Sequence, residues 1–383
     1  MFLRGTRSGG MNMQRLNSNR GVALPLAIFA LVVVGALVAG SFFIGMQEQR
    51  VGRNTVALQQ AFAAAEAGAQ TAVIEWDPTV VNQLTVGTEL AIGGTLPGSS
   101  GWYRGAIRRL NEMMFLVRAE GFSPDSQARQ QVGLLVRLRP VEVNIQAALE
   151  TQGQTKIGGS SYIDGNDNLP SGWTDCPSTE PPLPGIRIND SDSLSFSGCG
   201  GMSCIAGDPQ VEQDPTINDS TLTTFGDLDF DGLRELANKF VSGGTMKIEP
   251  AVSGTACLTG TLNNWGSPLD PSGPCGGYFP IVWSEGDLNI NGDQGQGVLI
   301  VNGNLRVQGN FEFFGPVLIR GTLETTGTGG HFNGGVIAAN VDLDQNTVLG
   351  DAVVNYSSCA LAKALKNSAQ GALLRDRSWI NLY

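Results

Sequence analysis

The chain has 383 residues, enough for more than one domain, and 41% of them are hydrophobic. Its formal net charge of −11 argues against a nucleic-acid partner, because such partners are bound by basic surfaces. Six cysteines, an even number, predict disulfide bonds and an oxidising compartment, although their pairing cannot be read from the sequence. The candidate disulfide residues are Cys176, Cys199, Cys204, Cys257, Cys275 and Cys359.

The most informative feature of the sequence is an apolar run near its start. The 27 residues 21–47 carry no charge, and the leader before them holds four arginines and no acid. About 20 helical residues cross a hydrocarbon core of ~30 Å, so this run predicts a membrane span. A basic leader stays cytoplasmic, and we expect everything after Glu48 to lie outside the membrane. An ordinary single-span anchor and a secretory signal cleaved near residues 38–40 are the alternative interpretations.

A helical pattern continues beyond the apolar run. Apolar and small residues recur at steps of three and four, which is one face of a helix, and no proline occurs between Pro25 and Pro78. The residues that share this face are Val51, Thr55, Leu58, Phe62, Ala65, Ala69, Ala72 and Trp76. We therefore predict one helix over residues 22–76, roughly 80 Å long at ~1.5 Å per residue. Half of this helix would lie in lipid, and the other half would stand outside the membrane.

The two ends of this helix resemble the PilX-type minor pilins, a family of type IV pilin-like proteins. Residues 20–24, RGVAL, resemble the prepilin peptidase site of that family, which implies cleavage between Gly21 and Val22. Residues 60–68, QAFAAAEAG, resemble the signature that closes the N-terminal helix of the family. The resemblance covers residues 20–76 and implies methylation of the new N-terminus. The later strands match the family only in pattern.

One position departs from the pattern of the major pilins. They carry glutamate as the fifth mature residue, where this chain has Leu26. The resemblance therefore implies a subunit suited to initiation or to the filament tip rather than to the repeating shaft. Small residues spaced four apart, such as Gly35 and Ala39, would let neighbouring helices approach closely. The residues expected to pack in the filament core are Leu26, Gly35, Ala39, Gly40, Phe62 and Glu66.

The resemblance implies a structural minor pilin for type IV pilus assembly or priming, and not an enzyme. Such a protein is a single-pass protein of the bacterial inner membrane with a periplasmic head, and later part of an extracellular pilus-like filament. The implied partners are other major and minor pilins, the inner-membrane assembly platform, prepilin peptidase and the lipid bilayer. The displayed head would contact a surface or adhesin partner.

Beyond the helix the sequence predicts mostly strands, so the expected fold class is α+β, mostly β. Residues 102–139 alternate like three strands of an antiparallel sheet that packs on the upper helix. The segment 286–292 recurs as 303–309, and short strands separated by glycine predict a parallel β-solenoid. We expect a C-terminal helix near Cys359 to cap one end of this solenoid. The predicted parts are a leader (1–21), the stem helix (22–76), the antiparallel sheet (77–140), the start of the solenoid (141–175), a cysteine-rich insertion (176–280), the rest of the solenoid (281–356), and a C-terminal helix and tail (357–383).

Solenoids often carry carbohydrate-active sites with paired carboxylates, so the repeats raise the question of an enzymatic function. The acids on or near the repeats are Asp287, Asp293, Glu312, Glu324, Asp342 and Asp344. Their spacing singles out no pair, and we interpret His331, the one histidine of the chain, as a turn residue rather than a general base. We expect no catalytic residue. The alternative functions are a membrane-tethered solenoid that binds or cleaves polysaccharide, and a self-polymerising scaffold that resembles the bactofilins, which are cytosolic.

Two short motifs raise the question of metal binding. Cys199 and Cys204 have a spacing that alone suggests zinc, but no second closely spaced pair accompanies them. Asp227, Asp229 and Asp231, followed by glycine, match the first ligand positions of a calcium loop. The twelfth position lacks the expected glutamate, and we favour a helix N-cap by Asp231. No cofactor is therefore expected, with calcium as the minority hypothesis.

Overall fold

The computed structural model describes residues 22–96, 101–139, 141–174, 176, 180–226, 228–374 and 379–382. One long helix, α1 (Ala23–Ile74), confirms the predicted stem. The helix stops just before Asp77, whose carboxylate accepts a hydrogen bond from the Thr79 N–H at 2.9 Å and so begins the short helix α2 (Pro78–Val81). The turn between the two helices directs the chain from the stem toward the antiparallel sheet.

An antiparallel sheet packs against the upper part of α1. Its first four strands run in sequence order: β1 (Glu89–Thr95), β2 (Trp102–Arg109), β3 (Met114–Phe122) and β4 (Arg129–Arg139). The three strands predicted within residues 102–139 are present, and β1 adds a fourth strand before them. Phe115, Val117 and Leu134 face the helix and are fully buried. This face of the sheet and one side of α1 therefore form a small core of their own.

The sheet is completed from the other end of the chain. Strands Gln370–Leu373 and Trp379–Leu382 both pair antiparallel with β4, Gln370 opposite Arg139 and Trp379 opposite Leu134. The C-terminal residues had been expected to form a helix and a tail. Since β4 and these strands are neighbours in one sheet, residues 141–368 form an insertion between adjacent strands of that sheet. We call this insertion the head.

The head is a parallel β-solenoid, as predicted, with three columns of stacked strands. The first column contains, in spatial order, Lys239–Val241, Ile281–Ser284, Val298–Val301, the ends of Phe311–Ile319 and Gly330–Ala338, then Leu149–Thr151, Ile186–Ile188 and Val211–Gln213. The second contains Gly244–Met246, Leu288–Asn291, Leu305–Gln308, Leu323–Thr326, Asn346–Val348, Thr155–Gly158 and Leu194–Ser197. The third contains Gln294–Gln296, the beginnings of Phe311–Ile319 and Gly330–Ala338, then Val353–Tyr356, Tyr162–Asp164 and Ile205–Ala206. Stacked aliphatic and aromatic side chains fill one continuous core between the columns.

One turn of the solenoid, with one strand in each column, is a rung. The order of the rungs along the solenoid does not follow their order in the sequence. The first rung of the chain stacks directly on the last, with Leu149 paired to Val336 and Tyr162 paired to Val353. The chain builds outward from residue 149 to 213 and then crosses to the opposite end of the solenoid. From residue 239 it stacks back toward the rung where it started. The points where the chain enters and leaves the head are therefore neighbours, which suits an insertion between two adjacent strands.

Short elements complete the head. The crossing segment contains α3 (Asp219–Thr223), α4 (Phe230–Leu236) and a small hairpin of Thr224–Phe225 and Leu228–Asp229. Another hairpin joins Val252–Ser253 to Ala256–Cys257, and 3₁₀ turns occupy Ser191–Ser193 and Gly201–Cys204. The C-terminal helix α5 (Ser358–Ser368) lies along the side of the solenoid, against Phe311–Ile319 and Gly330–Ala338. It does not cap an end of the solenoid, as the sequence had suggested.

Candidate functional site: the stem surface and its junction with the head

The lower part of α1 is an apolar surface that packs against no other element in the described part of the chain. Nearly every residue from Val22 to Gln60 is exposed, and one 18-residue window has a mean hydropathy of 2.6. Within the described residues, α1 is the one helix long and apolar enough to cross a membrane, judged by length and composition. The large exposed side chains include Leu24, Leu26, Ile28, Phe29, Leu31, Val32, Leu37, Phe42, Phe43 and Ile44. A surface of this kind requires lipid or other helices around it.

The predicted processing site lies at the boundary of the described residues. Gly21 lies outside them, whereas Val22 directly precedes α1 and is 60% exposed. Leu26, the fifth residue after the predicted cleavage position, is 63% exposed, and its N–H donates to the Val22 carbonyl at 3.1 Å. The first helical turn therefore presents an aliphatic side chain, and not a carboxylate, to whatever surrounds it.

The small residues of the lower helix leave open space beside the backbone. A Cβ added at Gly35 or Gly40 would meet no atom of the described residues within 4 Å, and Ala39 is exposed as well. Small residues at such positions let a second helix approach closely in a membrane. The arrangement provides room for neighbouring helices, while the structure of this chain contains none.

The QAFAAAEAG segment lies where the helix meets the sheet. Ala61, Ala65 and Gly68 are buried, because they face the strands, whereas Phe62 points outward and is 40% exposed. Glu66 is half-buried beside this contact. A larger residue on the buried side would push the sheet away. The segment therefore has a clear structural role, which is close packing of α1 on the sheet.

A buried asparagine joins the stem helix and its sheet to the head. Asn82, which follows α2, donates from Nδ2 to the carbonyls of Lys366 at 3.1 Å and Ala369 at 2.9 Å. Its Oδ1 accepts from the Trp76 Nε1–H at 2.9 Å. Helix ends carry carbonyls without helical partners, and Asn82 satisfies those at the end of α5. This one side chain thus ties together the top of the stem, the sheet and the last helix of the head.

A buried arginine holds the loop that carries Asn82. Arg109 Nη1 donates to the carbonyls of Asn82 at 2.9 Å and Leu84 at 2.7 Å, and Nη2 donates to the Glu112 carboxylate at 3.0 Å. Its guanidinium also lies 5.4 Å from the centroid of the Phe115 ring. No sequence motif distinguishes Arg109 from the other arginines. The period-two pattern of β2 could have identified it. Arg109 lies two residues after the inward-facing Ile107, so its side chain is on the buried face of the strand.

All six cysteines form disulfides. Cys199 is bonded to Cys204, so the zinc alternative is wrong for this pair, and Cys257 is bonded to Cys275. The third bond joins Cys176 to Cys359 in the first turn of α5. Cys359 lies in a small cluster with Trp173 and the aromatic rings of Phe279 and Phe314. This bond fixes the last helix of the head to an early segment of the head.

The aspartate motif forms a helix cap. Asp229 accepts a hydrogen bond from the Gly232 N–H at 2.9 Å and is the N-cap of α4. The expected cap was Asp231, which instead is exposed in the first turn of the helix. Asp227 lies outside the described residues. Among the residues that the structure describes, no group of three histidine, cysteine or acidic side chains is arranged to hold a metal ion.

The acids and the histidine of the solenoid mainly contact neighbouring rungs. Asp287 accepts from the Asn304 N–H at 2.7 Å, and Glu324 lies 3.5 Å from Arg306. His331 lies in the strand Gly330–Ala338, and not in a turn as predicted. Its Nδ1 lies 3.8 Å from the Glu312 carboxylate, which raises the pKa of the histidine above its ordinary value of 6.5. The other acids considered above lie on turns between strands, and they are Asp293, Asp342 and Asp344. These contacts stabilise the stack of rungs, and they suggest no reaction.

A cleft of about 520 Å³ separates the sheet from the crossing segment of the head. Apolar side chains line its walls, and three charged side chains, Arg137, Arg139 and Glu142, contribute to its lining as well. Head and sheet are thus tightly joined at Asn82 but less closely packed here.

Comparisons with known proteins add little to this description. No protein-family model and no curated protein matches the chain. Among solved structures, the crystal structure of the competence-associated pilin ComZ from Thermus thermophilus is similar, with 14% sequence identity and a TM-score of 0.24. The match covers 85% of this chain and 97% of that chain. A similarity at this TM-score carries no argument, so the function has to be argued from the chain itself.

Proposed function

We propose that this chain is a pilin-like minor subunit that helps to assemble or prime a type IV pilus-like filament. The observation that supports the proposal most strongly is the division of α1 into two parts. The upper part packs on a sheet through Ala61, Ala65 and Gly68, whereas the lower part is apolar and exposed on all sides. A helix divided in this way fits a subunit that first sits in a membrane and later packs among other stems. The resemblance of residues 20–24 and 60–68 to the PilX-type minor pilins supports the same proposal.

In the proposed mechanism the chain performs no chemistry of its own. Prepilin peptidase removes the leader after Gly21, and the assembly platform then brings the stem together with those of other pilins. Neighbouring helices use the open space beside Gly35 and Gly40, where the residues that the structure describes leave 4 Å free around an added Cβ. The head, which is inserted at the edge of the sheet, is displayed outside the filament core.

The proposal includes a position near the filament tip. In the repeating shaft, the fifth mature residue of a major pilin supplies a carboxylate, and the exposed Leu26 supplies none. A subunit without this carboxylate can begin a filament or end it, because it lacks one contact with a neighbouring subunit. The size of the head supports the same position, since a large insertion is accommodated more easily where fewer neighbours surround it.

The first test is the N-terminus of the protein from native membranes, measured by mass spectrometry with and without prepilin peptidase. The proposal expects a peptidase-dependent start at Val22 that carries an N-methyl group. A start at Met1 would indicate an ordinary membrane anchor, and a start near Ser41 would indicate a secreted protein. Either of these two results would overturn the proposal.

The tip position requires its own test. Leu26→Glu restores the major-pilin carboxylate, so we expect the number of copies per filament to rise while the head stays folded. Leu26→Gln is the matched control, because it introduces polarity at the same exposed position without charge. Quantitative immunoblotting of sheared filaments measures the copy number. If both variants incorporate like the wild type, the missing carboxylate does not determine where the subunit sits.

A further inference from the structure

The outer face of the antiparallel sheet is strongly basic. Successive side chains of a strand point to opposite faces of the sheet. The side chains that do not pack on α1 therefore point away from the helix. We call the arginines on this side the basic face, and they are Arg104, Arg108, Arg118, Arg129, Arg137 and Arg139. The side chains of Arg104 and Arg129 are 62% and 73% exposed. On the described strands β1–β4, no lysine accompanies these six arginines.

Two carboxylates lie between the arginines and leave a positive excess. Glu120 lies 2.9 Å from Arg104 and 3.3 Å from Arg129, and each contact joins neighbouring strands. Glu89 lies 2.7 Å from Arg118 and 3.8 Å from Arg108 in the same manner. Glu142 lines the cleft together with Arg137 and Arg139, so six arginines against three glutamates leave three positive charges on this side of the sheet. Glu89 and Glu120 fix the spacing of the guanidinium groups rather than neutralising the surface.

Aromatic side chains hold part of this face rigid. The rings of Trp102 and Phe122 stack with their centroids 3.9 Å apart, and the Arg104 guanidinium lies 5.0 Å from the Phe122 centroid. An arginine that is already stacked loses less conformational freedom when it binds a partner. The basic face is therefore partly organised before any partner arrives.

The head has the opposite charge. Residues 141–368, which form the head, contain 26 acidic residues and nine lysines and arginines, a net charge of −17. The most acidic surface and the basic face thus belong to the same protein. Arg187, one of the nine, is itself surrounded by Glu150, Glu212 and Asp214 within the head. The head consequently offers many carboxylates and few competing cations to a partner.

We infer that the basic face binds the acidic head of a second copy of this chain. Guanidinium groups pair with carboxylates in two-pronged contacts, and the fixed spacing of the arginines suits separate carboxylates on a folded surface. A polyphosphate would have to pass over Glu89 and Glu120, which interrupt the cationic track. Charge complementarity of this kind chiefly determines which surfaces meet and how fast they do so. The contact joins unlike surfaces, so in a bound pair one copy keeps a free head and the other keeps a free basic face.

The test uses the full chain in nanodiscs of zwitterionic lipid that hold one copy each. Isolated stems cannot meet in such discs, so association reports the head and the sheet and does not depend on the proposed filament function. We expect sedimentation velocity to detect association at low salt. Association should disappear at ~1 M salt, where the Debye length is ~3 Å.

Two variants of equal charge change locate the contact. The first variant neutralises exposed parts of the basic face and carries Arg104→Gln, Arg108→Gln and Arg129→Gln together. We expect this variant to associate at least about tenfold more weakly than the wild type. The matched control carries three neutralising changes on the head, and these are Lys247→Gln, Arg306→Gln and Arg320→Gln. It should associate at least as well as the wild type, because its head is more acidic. Thermal unfolding checks that both variants remain folded.

Three results would overturn the inference. The first is the absence of association at low salt, and the second is equal weakening of association in both variants. The third concerns a different class of partner. If a labelled DNA duplex, or vesicles of anionic lipid, bind the wild type and lose binding only in the basic-face variant, while association of copies is unchanged, the face serves that polyanion instead.

Discussion

Two glycines determine how closely the stem helix and the sheet approach each other. A Cβ at Gly121 of β3 would overlap the backbone nitrogen of Ala65 and the carbonyl oxygen of Ala61. On the helix, a Cβ at Gly68 would overlap the ring of Tyr103. The QAFAAAEAG pattern was recognised in the sequence as a family signature. Its partner Gly121 was not, because nothing in a strand sequence indicates which glycine will meet a helix backbone.

We expect Gly121→Ala to destabilise the protein by about 1–3 kcal/mol, since backbone atoms on the other side cannot rotate out of the way. Gly52→Ala is the matched control, because a Cβ there meets nothing within 4 Å. That change should be neutral or stabilise the helix by up to about 1 kcal/mol. Chemical denaturation of the full chain in detergent measures both. Equal effects of the two changes would mean that the contact between helix and sheet is looser than described.

His331 should make stability depend on pH. The Glu312 carboxylate raises its folded-state pKa above 6.5, burial opposes the shift, and the Asp351 carbonyl and carboxylate support it. A raised pKa means that the stabilisation is fully present below the unfolded value of 6.5. It is lost as the pH rises through the folded-state pKa. The effect should be about a few tenths of a kcal/mol, because the pair is partly exposed and screened by solvent.

The measurement is the difference in unfolding free energy between the wild type and His331→Gln across the neutral pH range. This difference should be largest at the acidic end and shrink as the pH rises. Glu312→Gln should remove the same dependence, because the histidine then loses its main partner. A difference that stays constant with pH would contradict the role given to this pair.

The helix cap illustrates how far single residues can be predicted. Both Asp229 and Asp231 are good caps by residue type, and the sequence favoured the second. The structure uses the first, because Phe230 is buried and its ring packs against those of Phe225 and Trp283. Helix α4 therefore starts at Phe230, which is needed in the core. Which of the two aspartates caps the helix therefore depends on tertiary packing, and the local sequence does not indicate it.

At the scale of elements, α5 is the link between the head and the sheet. Its first turn is bonded to Cys176, its side packs on the solenoid, and its last carbonyls accept hydrogen bonds from Asn82. The next residues continue directly into the strand Gln370–Leu373. Any movement of the head relative to the stem must therefore displace this helix or break one of these attachments.

Removal of the Cys176–Cys359 disulfide should cost more stability than removal of Cys199–Cys204. In the chain-entropy account, the cost grows with the loop that the bond closes, and the sequence separations are 183 and 5. The expected losses are about 5 and about 2 kcal/mol for the paired alanine variants. Denaturation of both double variants under the same conditions tests the order. A larger loss for the short loop would show that local strain or packing, and not loop closure, dominates.

Elements were predictable where periodicity is long or repeated. The stem helix and the solenoid repeats have such patterns, and both are confirmed. The strand Gln370–Leu373 was missed because it is short, contains glycine and forms through pairing with a distant strand. The same holds for the place of α5, since its amphipathic pattern indicates a buried side but not the surface that buries it. Pairing between distant residues supplies information that local patterns lack.

At the scale of the whole molecule, the protein consists of a helix-and-sheet module with a solenoid inserted at one edge. Arg139, the last residue of β4, is directly opposite Gln370, the first residue of the following strand. These two positions have the geometry of residues that flank a tight hairpin turn. The sheet should therefore not need the head in order to form.

We expect that replacing residues 140–369 by Asn-Gly leaves a folded helix-and-sheet protein. The two-residue turn joins strands that already pair, and the core of Phe115, Val117 and Leu134 remains. Circular dichroism and cooperative thermal unfolding in detergent measure the result. A control with Asn82→Ala in the shortened chain should change little, because the shortened chain lacks every carbonyl to which Asn82 Nδ2 donates. An unfolded product would mean that the head is part of the folding unit of the stem.

The stacking of the first rung on the last has a consequence for how the head can be built. Synthesis delivers residues 149–164 early and residues 330–356 late, yet these rungs are immediate neighbours. Until the late rung arrives, the early one presents an open strand edge, which invites wrong pairing. Other repeat proteins can lose a terminal repeat and keep a shorter stack. In this head, a chain that lacks its last rung would have an unpaired strand edge in the middle of the stack. The head is therefore completed as a whole or not at all.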